Sequence, residues 1–384
     1  RNSYLEDKNR MNCCSCGACA QICPASCITM EYQDGFFYPH ILTDQCIGCK
    51  QCINVCQYHR NDRAPHLKQE IYAAWNRETE VLVQSTSGGV FSAVAEAVLK
   101  AGGVVFGSIY DENWNVVTIS AETYEPLSLM RGSKYAMGST KATFKEVYHF
   151  LKSGKMVFYT GTPCQIGGLK CFLGKEYENL YTADIICHGA PSSAMLTEYV
   201  KYIEQINGKK VSELFFRYKK ETWLAPYVKI VFNDGSEILE EYYDKNVYAD
   251  AFGFNIALAP ACNECLHCNM ERPGDITMGD FWHLENNSPI CNTQGTSLLL
   301  INTDKGKHLL QMVGAGVTTL PADKEQALKS NPQLSQPAAR NPLRKAFIRC
   351  LETKGFGIAY TRYVRLGKIL LLPYRVLRKL RLVK

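Results

Sequence analysis

Ten of the 18 cysteines in this 384-residue chain lie between residues 13 and 56. Most of them follow one spacing, which occurs twice: three cysteines stand two residues apart, and a fourth follows after three more residues. The cysteines that fit it are Cys13, Cys16, Cys19, Cys23, Cys46, Cys49, Cys52 and Cys56. This spacing is typical of two-cluster ferredoxins, in which the fourth cysteine of each group binds the other [4Fe–4S] cluster.

The crossed arrangement assigns each cysteine to a cluster. Cluster one takes Cys13, Cys16, Cys19 and Cys56, and cluster two takes Cys46, Cys49, Cys52 and Cys23. A zinc site is the alternative, but zinc typically uses paired Cys-x2-Cys units. A disulfide framework is typical of short secreted chains. Cys14 and Cys27 are surplus, and Gln57 stands where the first group has Pro24, which weakens the second motif without removing a ligand.

A third cysteine group, Cys262-x2-Cys265-x2-Cys268, lacks a fourth cysteine nearby. Cys164 and Cys187 each follow a predicted strand, at the end where open α/β sheets bind ligands. Either of them is able to complete a four-thiolate site. We therefore expect a third [4Fe–4S] cluster, with structural zinc or free thiols as alternatives, and the choice among these five cysteines stays open.

These cysteines need elements that position them. Alternating apolar residues around Asp34-Gly35 predict a short hairpin that carries the two cluster loops. Downstream, predicted strands at 71–75, 104–110, 156–159 and 181–186 alternate with predicted helices. The expected fold is therefore an α/β (α+β) body, preceded by a bacterial-type ferredoxin domain and followed by a basic, helical C-terminal tail.

Two short segments suit a nucleotide. Ser85–Gly89 forms a glycine-bearing turn before a predicted helix, whose free N–H groups favour a phosphate. Arg131–Tyr135 brings two cations, a hydroxyl and an aromatic ring together, as a diphosphate and a ring system require. The alternatives are a capped helix with nothing bound and a solvated loop.

In chain order, these motifs resemble the coenzyme F420 hydrogenase/dehydrogenase beta-subunit family, in its variant with an N-terminal two-cluster ferredoxin module. The segments that carry the resemblance are Ser87–Gly89, Arg131–Tyr135, Gly161–Gln165, Cys187–Gly189, Cys262–Cys265 and Asp275–Trp282. The resemblance implies an FAD held by Ser87, Gly88, Gly89, Arg131, Ser133, Lys134, Tyr135, Thr162 and Pro163. It also implies that Cys164, Cys187, Cys262 and Cys265 bind the third cluster, a pattern from which Cys268 departs.

The function implied is an iron–sulfur flavoprotein oxidoreductase. Electrons would pass between the ferredoxin-type clusters and FAD, and on to or from F420 or another two-electron carrier, with a ferredoxin or a catalytic subunit as redox partner. The alternative is a non-catalytic electron-transfer subunit that docks a separate catalytic chain. A redox or iron sensor is poorly supported, since the sequence shows no DNA-binding element. No catalytic residue is assigned.

The motifs and the changes in composition along the chain predict the domain boundaries. We divide the chain into a ferredoxin domain at 1–66, a linker at 60–70, and beta-subunit regions at 70–150 and 151–325, with a tail at 326–384. The polar opening residues and the lack of a stretch of ~20 apolar residues lead us to expect a cytoplasmic protein.

The tail is strongly basic. From Arg340 to Lys384 it carries 13 Lys or Arg and one acid, a net charge of +12. Around Pro373 we predict short amphipathic helices that attach to an anionic membrane surface on the inner face of the cell membrane, or to a partner. A helix packed on the body with a solvated basic face is the alternative. We do not expect nucleic-acid binding, because no recognition motif accompanies the charge.

Overall fold

A computed structural model of the chain describes residues 2–59, 69–243, 245–285 and 287–370. Most of the predicted linker, residues 60–68, lies outside the described residues. The amphipathic helices predicted around Pro373 lie outside them too, because the description ends at residue 370.

Strands and helices are numbered in chain order. The strands are β1 Ile28–Gln33, β2 Phe36–Ile41, β3 Glu70–Asn76, β4 Val104–Tyr110, β5 Val116–Ala121, β6 Gly138–Ser139, β7 Val157–Gly161, β8 Leu180–Ile185, β9 Val211–Tyr218, β10 Tyr227–Phe232, β11 Glu237–Glu241, β12 Ile276–Asp280, β13 Ser297–Ile301 and β14 Val317–Pro321. The helices are α1 Tyr4–Asp7, α2 Ala18–Ile22, α3 Gln51–Asn54, α4 Thr79–Gln84, α5 Val90–Lys100, α6 Leu127–Met130, α7 Thr143–Lys152, α8 Pro163–Leu173, α9 Ser193–Asn207, α10 Val247–Gly253, α11 Asp304–Val313, α12 Lys324–Ser330, α13 Arg344–Lys354, α14 Phe356–Tyr360 and α15 Leu366–Leu370.

A mixed sheet forms the centre of the body, and the expectation of a mixed α/β fold is confirmed. Its strand order is β14-β3-β13-β12-β8-β7-β4-β5-β6. The pairs β12–β8, β8–β7 and β7–β4 are parallel. Consequently β7 and β8 end at the same edge, and Cys164 and Cys187 follow directly after them.

Each face of this sheet is covered by helices. Helices α5 and α11 pack on the face that carries Val105 and Phe158. Helices α7 and α8 pack on the opposite face, against Val104 and Phe106, because successive strand residues point to opposite sides. The buried Ala18 and Val55 of the ferredoxin module join this second core, so the module docks on the face covered by α8.

The predicted hairpin is present. Strands β1 and β2 pair antiparallel, with Gln33 opposite Phe36 across a two-residue turn. Asp34 and Gly35 both have positive φ, 47° and 91°, as the tight turns that match strand twist require. The turn contacts the body, since the Ser192 hydroxyl donates to the Gly35 carbonyl at 2.6 Å.

A smaller sheet and the C-terminal helices form the rest of the body. Strands β11, β10 and β9 form an antiparallel sheet that packs with α9, α10, α13 and α14. Phe347 and Leu351 of α13 and Phe356 of α14 are buried in this core. The part of the basic tail within 344–370 therefore lies against the body, and docking by residues 371–384 stays a prediction. Among the described residues, none of the helices has the length and apolar character needed to cross a bilayer.

The central sheet also crosses the boundary drawn at residue 150. Strand β4 lies in the predicted 70–150 region and pairs with β7 in the 151–325 region. These two regions therefore share one sheet, whereas the ferredoxin module has a sheet of its own.

Candidate functional site

The cysteines assigned to cluster one surround a small cavity. Cys13, Cys16, Cys19 and Cys56 line a space of about 30 Å³, together with Cys52. Burial raises the pKa of Cys13 to about 12 and that of Cys56 to about 11. Binding a cluster would therefore release protons from these thiols, because only thiolates act as metal ligands.

The cysteines assigned to cluster two lie nearer the surface. Cys23 is buried, Cys52 is half-buried, and Cys46 and Cys49 are exposed. Cys52 interacts electrostatically with Cys23 and Cys49, which places the three thiols in one neighbourhood. The surplus Cys27 lies beside them, with its sulfur 3.5 Å from that of Cys23.

The cysteines of the chain are present as thiols. All 18 cysteines lie in the described part of the chain, and none forms a disulfide bond. Within residues 2–59, 69–243, 245–285 and 287–370, no three His, Cys, Asp or Glu side chains are placed to hold one metal ion. The assignment of these thiols to cubane clusters, in which each thiolate binds a different iron, therefore rests on their spacing in the sequence.

The third cysteine group lies on the wall of a second cavity of about 840 Å³. Its members are Cys164, Cys187, Cys262, Cys265 and Cys268. Burial raises the pKa of Cys187, and the nearby Cys262, Cys164 and Cys265 raise it further. Cys268 contacts Cys265 and also interacts electrostatically with Cys187. The arrangement supports the ligand set implied by the resemblance, and that set stays a prediction.

A buried ion pair holds the loop that carries Cys262, Cys265 and Cys268. Arg272 donates from Nη2 to Asp184 Oδ1 at 2.7 Å and from Nη1 to the His267 carbonyl at 2.6 Å. The other carboxylate oxygen of Asp184 accepts from the Gly274 backbone N–H at 2.8 Å. Because Asp184 lies in β8, these contacts attach the cysteine loop to the strand that leads to Cys187.

Most residues predicted to contact FAD line this same 840 Å³ cavity. They are Ser87, Gly89, Arg131, Ser133, Lys134, Tyr135, Thr162 and Pro163. Gly88 is placed differently, because it packs against the sheet: a Cβ there would lie 2.2 Å from the Ala74 carbonyl oxygen. Gly88 therefore permits the close approach of the turn to β3 and β13.

Several of these residues also bond to protein groups. Arg131 Nε donates to Ser92 Oγ at 2.9 Å, and Nη1 donates to Gln84 Oε1 at 3.0 Å. The Ser133 N–H donates to Thr86 Oγ1 at 3.1 Å, which joins the two predicted nucleotide segments. Lys134 is bonded in the same way, since its Nζ donates to the carbonyls of Leu129, Arg131 and Gly132 at 2.6, 2.7 and 3.2 Å. All three residues thus shape the cavity.

Two helices begin at the cavity. Helix α5 follows Gly89, which has φ 74°, and α8 follows Thr162, whose side chain caps it. Pro163 occupies the first turn of α8. The start of α8 is satisfied by this cap and by the proline, whereas free N–H groups at the start of α5 favour an anion such as a pyrophosphate.

Two buried cations were not predicted from the sequence. Lys219 is 3% exposed and donates to the carbonyls of Ser87 and Leu82, at 2.6 and 2.7 Å. Burial lowers its pKa to about 7. Arg217 is 4% exposed, with its guanidinium 4.5 Å from the Trp282 ring. Charged residues in an alternating strand pattern suggest a solvated face, so only the tertiary packing reveals their burial.

The comparisons with known proteins agree with the predicted resemblance. Residues 154–325 match the family model for the C terminus of the coenzyme F420 hydrogenase/dehydrogenase beta subunit. Residues 12–59 match the model "4Fe-4S dicluster domain". The prediction of an N-terminal two-cluster module and of a beta-subunit-like region is therefore confirmed.

Two curated relatives extend the similarity. The chain is 24% identical over 336 residues to a coenzyme F420-dependent sulfite reductase of Methanocaldococcus jannaschii, covering 83% of the chain and 48% of that protein. It is 21% identical over 226 residues to one of the subunits of the F(420)H(2) dehydrogenase of Methanosarcina mazei, covering 55% of the chain and 63% of that protein. The chain thus spans about half to three fifths of the length of these relatives.

A solved structure was also found. It is a chain of the F420-reducing [NiFe] hydrogenase complex from Methanosarcina barkeri, with a TM-score of 0.48 and 18% identity, covering 73% of this chain and 99% of that chain.

Proposed function

From a chain that joins a 4Fe-4S dicluster module to a coenzyme F420 hydrogenase/dehydrogenase beta-subunit region, we propose an iron–sulfur flavoprotein oxidoreductase. It exchanges electrons between two ferredoxin-type clusters, a third [4Fe–4S] cluster and FAD. The two-electron carrier is F420 or another hydride carrier, as the names of both curated relatives suggest.

One observation carries this proposal. The 840 Å³ cavity is lined both by the third cysteine group and by most of the residues expected to contact FAD. Its volume lies within the range of ~300–1,000 Å³ usual for ligand sites. A bound flavin would supply the step at which single electrons and hydride equivalents exchange.

The chain's own residues hold and shield the site. Lys219 fixes the Ser85–Gly89 turn by donating to the Ser87 carbonyl, and the Ser87 hydroxyl donates to the Thr296 carbonyl at 3.1 Å. On another wall, Tyr135 packs against Phe216 and Phe252, with ring centroids 5.5 and 4.9 Å apart. The aromatic wall excludes water from one side, while the start of α5 presents N–H donors to a phosphate.

The second candidate function is a non-catalytic electron-transfer subunit that docks a separate catalytic chain. The exposed Cys46 and Cys49 favour it, because a cluster held there would face an external partner. Under this proposal the large cavity contains the third cluster and no flavin.

Quantifying the cofactors separates the two proposals. We expect protein purified without oxygen to contain about one FAD and about twelve irons per chain, as three [4Fe–4S] clusters require. It should also reduce a dye with F420H2, NAD(P)H or reduced ferredoxin as donor. A full complement of iron without flavin would overturn the flavoprotein proposal and favour the electron-transfer subunit.

Flavin binding is expected to depend on pH through Lys134. Lys134 lines the cavity, and its Nζ donates to the carbonyls of Leu129, Arg131 and Gly132. Burial lowers its pKa to about 7. A bound phosphate favours the ammonium form, so above pH 7 binding requires the uptake of a proton. We expect the FAD affinity of flavin-free protein to fall by up to about tenfold per pH unit between pH 7 and 9. Below pH 7 the affinity should not depend on pH.

Titrations of flavin fluorescence at each pH measure this effect. The Lys134→Met variant should bind FAD more weakly at pH 6.5 and should lose the slope above pH 7. Lys145→Met, at an exposed lysine of α7, is the matched control and should keep the slope. Equal slopes in the Lys134→Met variant and the unmodified protein would contradict the assignment.

Attachment of the basic tail to an anionic membrane surface remains a proposal. The described tail helices pack on the body, yet Arg362 and Arg365 lie exposed on the turn that links α14 to α15. Partial exposure of basic side chains is compatible with a surface that binds either a partner protein or lipid headgroups.

A further inference from the structure

Two residues separate the cluster-one cavity from the large cavity. Cys14 and Tyr58 line both spaces, although neither belongs to a predicted ligand set. The Cys14 thiol interacts electrostatically with Cys16, a ligand assigned to cluster one, and with Cys164, a ligand assigned to the third cluster. One thiol therefore spans the distance between the two sets of ligands.

Gln57 connects Cys14 to the third cysteine group through hydrogen bonds. Its Nε2 donates to the Cys14 sulfur at 3.2 Å and to the Cys164 carbonyl at 2.9 Å. Its Oε1 pairs with His267 Nε2 at 2.8 Å. The backbone N–H of His267 in turn donates to the Cys265 sulfur at 3.4 Å. Gln57, which replaces the second proline of the ferredoxin pattern, thus links Cys164 and, through His267, Cys265 to the ferredoxin module.

Two glycines allow the module to approach this closely. Gly167 and Gly168 lie in α8, the helix that begins with Pro163 and Cys164. A Cβ on Gly168 would lie 2.9 Å from both the Cβ and the sulfur of Cys16. A Cβ on Gly167 would lie 2.8 Å from Gln57 Oε1 and 3.1 Å from His267 Cε1. Larger residues at either position would push the module away from the third cysteine group.

Cluster two has no such connection among the described contacts. Two of its predicted ligands, Cys46 and Cys49, are exposed, and between them Ile47 is 68% exposed. A Cβ on Gly48 would meet nothing within 4 Å. This end of the module faces outward, while the cluster-one end faces the body.

We propose that Cys14, Gln57 and His267 form a bridge that holds cluster one against the third cluster. Cluster two, at the exposed end of the module, is then the cluster that exchanges electrons with an external partner. The three bridge residues are positioning residues, since they bind no iron themselves. Clusters bound at these two sites would exchange single electrons, one being oxidised as the other is reduced, and no atom or proton would need to cross the bridge. The inference rests on the third cluster of the proposed function, and not on the flavin.

Gln57→Leu tests the bridge, because it keeps the side-chain volume and removes the amide. We expect the full chain to keep its iron. Electron transfer between cluster two and the third cluster should slow about 10- to 100-fold, the usual effect of replacing a residue that contacts metal ligands without binding the metal. The reduction potentials of cluster one and the third cluster should fall, because the Gln57 amide N–H groups, bonded to Cys14 and to the Cys164 carbonyl, place positive charge beside both sites and favour the more negative reduced state. Cluster two should keep its potential.

Redox titration followed by electron paramagnetic resonance measures the potentials, and freeze-quenching after mixing with a reduced ferredoxin measures the rates. Gln51→Leu is the matched control, at an exposed glutamine of the same module. Unchanged rates and potentials in Gln57→Leu would overturn the bridge, and so would a protein with only about eight irons. All of these signals come from the clusters, so an absence of flavin would refute the proposed function while leaving the bridge measurable.

Gly168→Ala tests the same bridge by separation. The added Cβ must displace Cys16, so the magnetic coupling between reduced cluster one and the reduced third cluster should weaken. Gly316→Ala is the control, because the nearest atom to its added Cβ is 3.4 Å away, on Val313. Full coupling in Gly168→Ala would contradict the close docking on which the bridge depends.

Discussion

Replacing Cys262 by serine is expected to remove about four of about twelve irons per chain, while the signals of the two ferredoxin-type clusters persist. The Cys262 thiol lies on the wall of the large cavity and interacts with Cys164 and Cys265. Burial raises its pKa to about 12, so the free side chain is a neutral thiol. A serine hydroxyl is a poor substitute for a thiolate iron ligand. Iron analysis and electron paramagnetic resonance of anaerobically purified protein measure the loss.

Cys268→Ser supplies the comparison within the same loop. Cys268 contacts Cys265 but lies outside the set that the resemblance implies, so we expect this variant to keep all three clusters. Cys291→Ser, at a cysteine that lines neither cavity, controls for the general effect of a lost thiol. If Cys268→Ser loses the third cluster and Cys262→Ser keeps it, the ligand set must be redrawn with Cys268 as the fourth ligand.

Local chemistry explains which parts of the molecule could be predicted. The hairpin at Asp34-Gly35 depends on a turn that two adjacent residues specify. Helix α5 begins after Gly89 and ends just before Gly102-Gly103, as its apolar period and flanking glycines indicate. Cys164 and Cys187 lie together because parallel neighbouring strands end at one edge, which strand order and handedness favour.

Long-range packing explains what could not be predicted. Gln57 looked like a weakened ferredoxin motif, and only its contacts with Cys164 and His267, distant in sequence, show a specific role. Lys219 lies in a segment whose pattern suggests exposure, yet it is buried against the turn at Ser87. Gly88 seemed part of a phosphate cradle, and its close approach to Ala74 depends on a sheet register that no local pattern specifies.

Replacing Asp184 by alanine is expected to destabilise the protein by about 3–5 kcal/mol, as for other buried ion pairs that lose one partner. The side chains of Asp184 and Arg272 are 0% and 2% exposed, so the variant leaves a buried guanidinium without its carboxylate. The Gly274 N–H also loses its acceptor. Because Arg272 holds the His267 carbonyl, we expect the third cluster to be lost at lower urea concentrations than the other two. Anaerobic urea titration followed by cluster absorbance measures this order.

Two further variants show whether the ion pair itself causes the effect. Lys201→Ala removes a partner of Glu198 at a site where the lysine side chain is 69% exposed, and it should change stability by less than about 1 kcal/mol. The double variant Asp184→Leu/Arg272→Met removes both charges at once, so it should be more stable than Asp184→Ala alone. If the double variant is as unstable as the single one, the loss arises from the Gly274 contact and the packing of the loop, and the pairing of charges contributes little. If it recovers stability but still releases the third cluster early, the ion pair serves chiefly to hold the cysteine loop against β8.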